Sequence, residues 1–229
     1  MELTVLGKYG PYAKAGTGCA SGYLVKNEGD FLVMDMGSGT LSRLTALTDI
    51  RNIKDIFISH LHFDHTSDLL PFRYLLEEVN HSVNIYTHKE DTDWYKILFS
   101  HPNFNIIDID ENTEIKIGSM SLRFLKMKHT ATDYAVVVKG EKTLAYTGDT
   151  LYNDNILKCF ELSDTVLADC SKPENFNGPH MTVKQAKELS KNYKSRIIAT
   201  HLSASFDPTE AFKGYENITV AEELKTYII

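Results

Sequence analysis

Cysteine is scarce in this 229-residue chain, and Cys19, Cys159 and Cys170 lie far apart. That excludes a disulfide framework and a cysteine-based zinc ribbon, and the three thiols are expected to be reduced and buried. No apolar run approaches the ~18–20 residues that a membrane-crossing helix needs, so no membrane partner is expected. Positive charge is in deficit, 24 Lys and Arg against 31 Asp and Glu for a net charge of −7, which disfavours a broad footprint on long nucleic acid. Repeats, low-complexity tracts and linker-like stretches are missing as well. Residues 1–229 are therefore expected to fold as a single α/β domain. The opening Met1 to Val5 lacks the basic flank and apolar segment of a signal peptide and reads directly as a strand, which gives the expectation of a cytoplasmic protein.

Short β-rich runs alternate with amphipathic segments. Leu3 to Leu6, Gly22 to Lys26, Phe31 to Asp35, Asp55 to Ile58, Val83 to Thr87, Thr165 to Ala168 and Arg196 to Thr200 read as strands. A denser β block covers Thr113 to Ile117, Ser119 to Met127, Tyr134 to Lys139 and Lys142 to Thr147, with a Gly140-Glu141 turn inside it. Helices are expected where Leu41, Leu44 and Leu47 share a face, with Ser38 or Thr40 as cap. Others are expected over Leu69 to Val79 with Pro71 in the first turn, along the Trp94, Ile97 and Leu98 face, and after the capping box Thr182-Val183-Lys184-Gln185.

Against this background one stretch is dense in chemistry: His60-Leu61-His62-Phe63-Asp64-His65 puts three imidazoles and a carboxylate just beyond a strand end. These donors suit divalent zinc, manganese or iron. His60 and His62, spaced i and i+2 in extended chain, turn to one side. His129, Asp149 and His201 each follow an apolar strand, the place where open α/β sheets gather their chemistry. Seven such side chains are enough for two ions sharing a carboxylate. Asp35, at the end of its strand, is read as a structural hydrogen-bond acceptor in preference to a carboxylate supporting a ligand. His81, His88 and His101 have no ligand-type neighbour at useful spacing and are read as surface or hydrogen-bonded histidines.

Asp35 in Leu-Val-Met-Asp, the His60 to His65 cluster, His129, Asp149 in Thr-Gly-Asp-Thr and His201 in Ala-Thr-His-Leu together resemble the metallo-β-lactamase-fold hydrolase superfamily. The resemblance implies a four-layer αββα sandwich with the site at one edge. It implies a first metal on His60, His62 and His129, a second on Asp64, His65 and His201, and Asp149 bridging both. Zinc is the implied ion, manganese the alternative, and family habit implies a homodimer.

Gly16-Thr17-Gly18, His129-Thr130 and Gly178-Pro179-His180-Met181-Thr182 resemble the RNase Z-like and phosphodiesterase branch more narrowly. There the histidine matching His180 assists phosphate binding and protonates the leaving group. Asp169 stands where that branch has a glutamate, and a long basic, Gly-rich arm is replaced by a hairpin, since His129 and Asp149 are separated by 149 − 129 = 20 positions. The expected function is thus a two-metal hydrolase of a small phosphodiester or nucleotide, with Asp64, His180 and Asp169 as catalytic residues. The rivals are a lactone, carboxylic ester or thioester hydrolase, a transfer-RNA 3′-processing endonuclease, and a metal-binding regulatory module without turnover.

Overall fold

The computed structural model describes residues 1–14 and 18–229; of the Gly16-Thr17-Gly18 segment, Gly16 and Thr17 lie outside the described residues. Among these, fourteen strands and six α-helices follow in the order β1 Glu2–Gly7, β2 Gly22–Asn27, β3 Asp30–Met36, α1 Thr40–Leu47, β4 Asp55–Phe57, α2 Phe63–Thr66, α3 Leu69–Val79, β5 Val83–Thr87, α4 Asp93–Phe99, β6 Phe104–Asp108, β7 Glu114–Ile117, β8 Met120–Met127, β9 Asp133–Lys139, β10 Thr143–Tyr146, α5 Asp154–Leu162, β11 Thr165–Asp169, α6 Val183–Asn192, β12 Arg196–Thr200, β13 Ile218–Val220 and β14 Thr226–Ile228.

The strands form two seven-stranded mixed sheets, ordered β14-β1-β2-β3-β4-β5-β6 and β13-β12-β11-β10-β9-β8-β7. Both change from antiparallel to parallel pairing part-way, at β3/β4 and at β10/β11. Successive side chains point to opposite faces of a strand, and here both faces are covered. In β3, Leu32 and Met34 enter the core between the sheets, where they join Phe57, Phe124, Val136, Leu167 and Ile198. Val33 faces the other way and packs with Leu44 of α1 and Phe72 and Leu76 of α3. On the second sheet Val166, Ala168, Ile197 and Ala199 meet Ile156, Phe160, Ala186 and Leu189 of α5 and α6. The layers are therefore helix, sheet, sheet, helix, as expected, and strands buried on both faces explain the near-continuous apolar runs.

Pairing fixes where the strands end. β3, β4 and β5 run parallel, as do β10, β11 and β12. β8 and β10 are both antiparallel to β9 and so share a direction. The carboxyl ends of these strands consequently gather along one edge of the sandwich.

Several local expectations need correction. Neither Ser38 nor Thr40 caps α1: its N-cap is Gly39 at φ 88, and the free amide of Leu41 donates to Asp68 Oδ2 at 2.8 Å. Leu47 and Ile97 are exposed, so the apolar faces of α1 and α4 are narrower than the periodicity predicts. β6, β13 and β14 form without having been expected. The three cysteines are buried as expected, and among the described residues no helix is long and apolar enough to cross a membrane.

Candidate metal centre

β4 ends at Phe57, and the chain runs outside any strand or helix to His62, itself extended, before α2 begins. Trp94 Nε1 donates to Leu61 O at 2.9 Å and pins this crossing. His60 Nε2 and His62 Nδ1 face each other at 2.9 Å, and His129 Nε2, from beyond β8, lies 3.3 Å from the same His62 nitrogen. Asp149 Oδ2 completes the group at 3.9 Å from His60 Nε2 and 3.8 Å from His129 Nε2. Beside it Asp64, His65, Asp149 and His201 make a second group: His201 Nε2 is 3.0 Å from Asp149 Oδ2 and 3.3 Å from Asp64 Oδ2, and His65 Nε2 is 3.4 Å from Asp149 Oδ1. Within each group the donor atoms lie within 4.8 Å of one another. All seven side chains picked from the sequence thus converge, with Asp149 common to both groups.

A second layer of groups orients them. His65 Nδ1 donates to Asp35 Oδ2 at 2.7 Å, and the same carboxylate accepts from Tyr146 Oη and from the amide and hydroxyl of Ser59. This corrects the reading of Asp35: it holds a proposed ligand in place rather than serving the fold alone. His129 Nδ1 donates to Pro179 O at 3.1 Å. His60 Nδ1 lies 3.1 Å from Ser59 Oγ and 2.7 Å from Oδ2 of Asp133, a residue the sequence reading passed over. Its signal there was only an acidic residue opening a strand of Tyr-Ala-Val-Val-Val. Asp35 and His201 both adopt positive φ, 59° and 55°, a conformation costing non-glycine residues about 1–3 kcal/mol and concentrated at functional sites.

The electrostatics divide along the same line. Burial pushes His60, His62 and His129 down, His60 well below the usual histidine range. Burial acts on His65 and His201 too, yet Asp149, Asp35 and Asp64 hold His65 well above that range. Asp149 and Asp64 likewise raise His201 to about 9. Asp149, against the effect of burial, is held well below the usual carboxylate range by His201 and His65.

A divalent cation suits this donor set. The acceptors beside His60 Nδ1 and His129 Nδ1 place the ring protons there, which leaves both Nε2 lone pairs aimed at His62 Nδ1. A single proton on His62 Nδ1 can serve only one of these lone pairs fully, whereas a borderline cation accepts all three nitrogens and the carboxylate. In the second group the buried His65 Nε2 and Asp149 Oδ1 have no hydrogen-bond partner although they face each other.

His180, in the segment leading into α6, lies against both groups. Its Nδ1 donates to Asp169 Oδ2 at 2.7 Å and is 3.9 Å from Asp149 Oδ2, and its ring stacks 4.8 Å from that of His201. The shorter carboxylate of Asp169 therefore reaches its histidine. Donor atoms of Asp149, Asp169, His180 and His201 likewise lie within 4.8 Å of one another. His81, His88 and His101 each hydrogen-bond elsewhere, to Ile53 O, Glu90 and Glu77. A cavity of about 800 Å³ lies beyond Leu202, lined by Lys8, Phe206 and β13, and none of the converging side chains lines it.

A family model described as "Anti-Pycsar protein Apyc1" matches residues 1–227. The chain belongs to that family. It is also 27% identical over 213 residues to "Probable metallo-hydrolase YhfI" of Bacillus subtilis, covering 88% of this chain and 87% of YhfI. The crystal structure of YhfI, a metallo-β-lactamase fold protein, superposes with a TM-score of 0.91 at 24% identity over 99% of this chain and 98% of that one. Two further structures share the fold: a diphosphatase from the PhnP family, with TM-score 0.82 and 16% identity over 100% and 97% of the two chains, and human tRNase Z, short form, with 0.79 and 20% over 100% and 99%. This member of the Apyc1 family thus has the metallo-β-lactamase fold and is a metal-dependent hydrolase.

Proposed function

We propose that the chain is a two-metal phosphodiesterase acting on a small phosphodiester or nucleotide. In this reading His60, His62 and His129 would hold one ion, Asp64, His65 and His201 the other, and Asp149, common to both groups, would serve both. Zinc is the expected metal and manganese the alternative, since imidazole and carboxylate donors accept both. Ions held there supply an activated water at neutral pH and positive charge facing the phosphoryl oxygens.

The chain's own residues do the rest. Asp64, a carboxylate of the second group, would also hold the nucleophile's proton. His180 carries the phosphodiester reading: Asp169 accepts its Nδ1–H and so orients the ring, which leaves Nε2 free to serve a departing oxygen. The hairpin of β9 and β10, closed by Gly140 N donating to Lys142 O, fills the place of a nucleic-acid-gripping arm and favours a small substrate. Residues 1–229 are read as one domain, cytoplasmic and homodimeric.

The test is a hydrolysis panel on metal-quantified protein, offering an aryl phosphodiester, cyclic nucleotides, a transfer-RNA precursor and a lactone. Phosphodiester turnover that falls about 10²–10⁴-fold in His180→Ala is expected, the range for loss of a general acid. Turnover of lactones alone, with His180→Ala fully active, would replace this reading with a carbonyl hydrolase.

A further inference from the structure

The carboxylate of Asp133 is fully buried beneath the first group of imidazoles, at the first residue of β9. Its Oδ2 makes two contacts: 2.7 Å from His60 Nδ1, and an acceptor for the amide of Asp149 at 3.1 Å. Its Oδ1 has no hydrogen-bond partner. One oxygen therefore touches a proposed ligand of the first ion and the backbone of the residue proposed to lie between the ions.

The chain is shaped around that carboxylate. Gly148, within Thr-Gly-Asp-Thr, has φ +58, and a Cβ there would stand 2.3 Å from Asp133 Oδ1. A side chain at 148 and a carboxylate at 133 exclude each other.

The carboxyl groups are distributed in the same sense. Between them the seven proposed ligands include two carboxylates, Asp64 and Asp149, and Asp64 sits with the second group. The first group has three neutral imidazoles and a share of Asp149. A buried carboxyl group against the far nitrogen of one imidazole fixes that ligand's rotation. Asp35 does this for His65 on the second side, at the same 2.7 Å.

We propose that Asp133 is a positioning residue for the first metal ion, holding His60 in its ligating orientation and coupling it to the backbone of Asp149. The inference rests on the ligand assignment proposed above and goes beyond it by predicting unequal effects at the two ions. Asp133→Asn keeps the size and replaces one carboxyl oxygen with an amide nitrogen. It weakens the first ion about 10–100-fold, the usual cost of losing a group that supports a ligand, and leaves the second near its original affinity.

The measurement is competitive chelator titration of metal stoichiometry and affinity, with zinc, on wild type, Asp133→Asn, Asp133→Glu and Asp35→Asn. The d–d spectra of the cobalt(II)-loaded proteins are recorded alongside. Wild type binding two ions, Asp133→Asn holding one tightly with an altered spectrum for the other, and Asp35→Asn showing the reverse preference would support the proposal. Two ions in Asp133→Asn at wild-type affinity would overturn it. So would equal weakening of both ions together with an equal drop in the melting temperature of the metal-free variant, the signature of a merely structural role. If Asp133→Asn does not fold, Asp133→Glu decides by the same criteria. Wild type that fails to bind two ions would instead overturn the ligand assignment itself.

Discussion

At the scale of single residues, the site is governed by which nitrogen of each histidine is committed elsewhere. His65 gives Nδ1 to Asp35, His129 to Pro179 O and His180 to Asp169, so orientation is set by neighbours that do not themselves face the reaction. Asp169→Asn is expected to leave metal content unchanged while lowering kcat, up to the 10²–10⁴-fold attributed to a general acid; kinetics at fixed metal loading check this, and Asp169→Glu should recover part of the loss. Thiol chemistry gives an independent residue-scale prediction. Burial pushes Cys159 up to about 12 and raises Cys170 further, so at pH 8 neither carries appreciable thiolate, the form that reacts. Titration with an aromatic disulfide should label both only after unfolding.

Elements place these residues, and some do so through long-range contacts. The Thr182 capping box closes the N-terminus of α6 two residues after His180, with Gln185 N donating to Thr182 Oγ1 and Thr182 N to Gln185 Oε1. Thr182→Ala should cost about 1 kcal/mol of stability, read by denaturant unfolding. That box was visible in the sequence because its partners are three residues apart. So was α3, whose bounds follow from Pro71 in the first turn and Asn80 at φ 49 past the end. The cap of α1 was not, because its acceptor, Asp68, lies 27 residues beyond the amide it receives. β13 and β14 escaped because three residues each, with Thr219 and Thr226 among them, carry too little pattern. The seven converging side chains were legible since each follows an apolar strand; Asp133 was not, since burial of a lone carboxylate leaves no periodic trace.

Across the whole molecule, the two sheets meet over a core in which Phe57 of the first stacks on Phe124 of the second at 5.6 Å. Phe57→Ala should remove about 3–5 kcal/mol, measured by equilibrium unfolding. Stripping the ions with a chelator should lower the melting temperature, because ligands of the native state at 100 times their Kd contribute about 2.7 kcal/mol. Calorimetry of loaded and stripped protein measures that difference.

Each proposed ion draws on both sheets: His60 and His62 follow β4 of one, His129 and Asp149 follow β8 and β10 of the other, and His201 stands 201 − 60 = 141 residues after the first. No half of the chain can assemble either group alone. During synthesis, a nascent chain lacks a full first group until residue 149 has emerged and a full second group until residue 201 has, and both wait on the docking of the two sheets. Metal capture is then a late event that marks a finished molecule. Refolding rates should be nearly the same with and without zinc, while zinc slows unfolding, so the ions act as a lock turned after the door has closed.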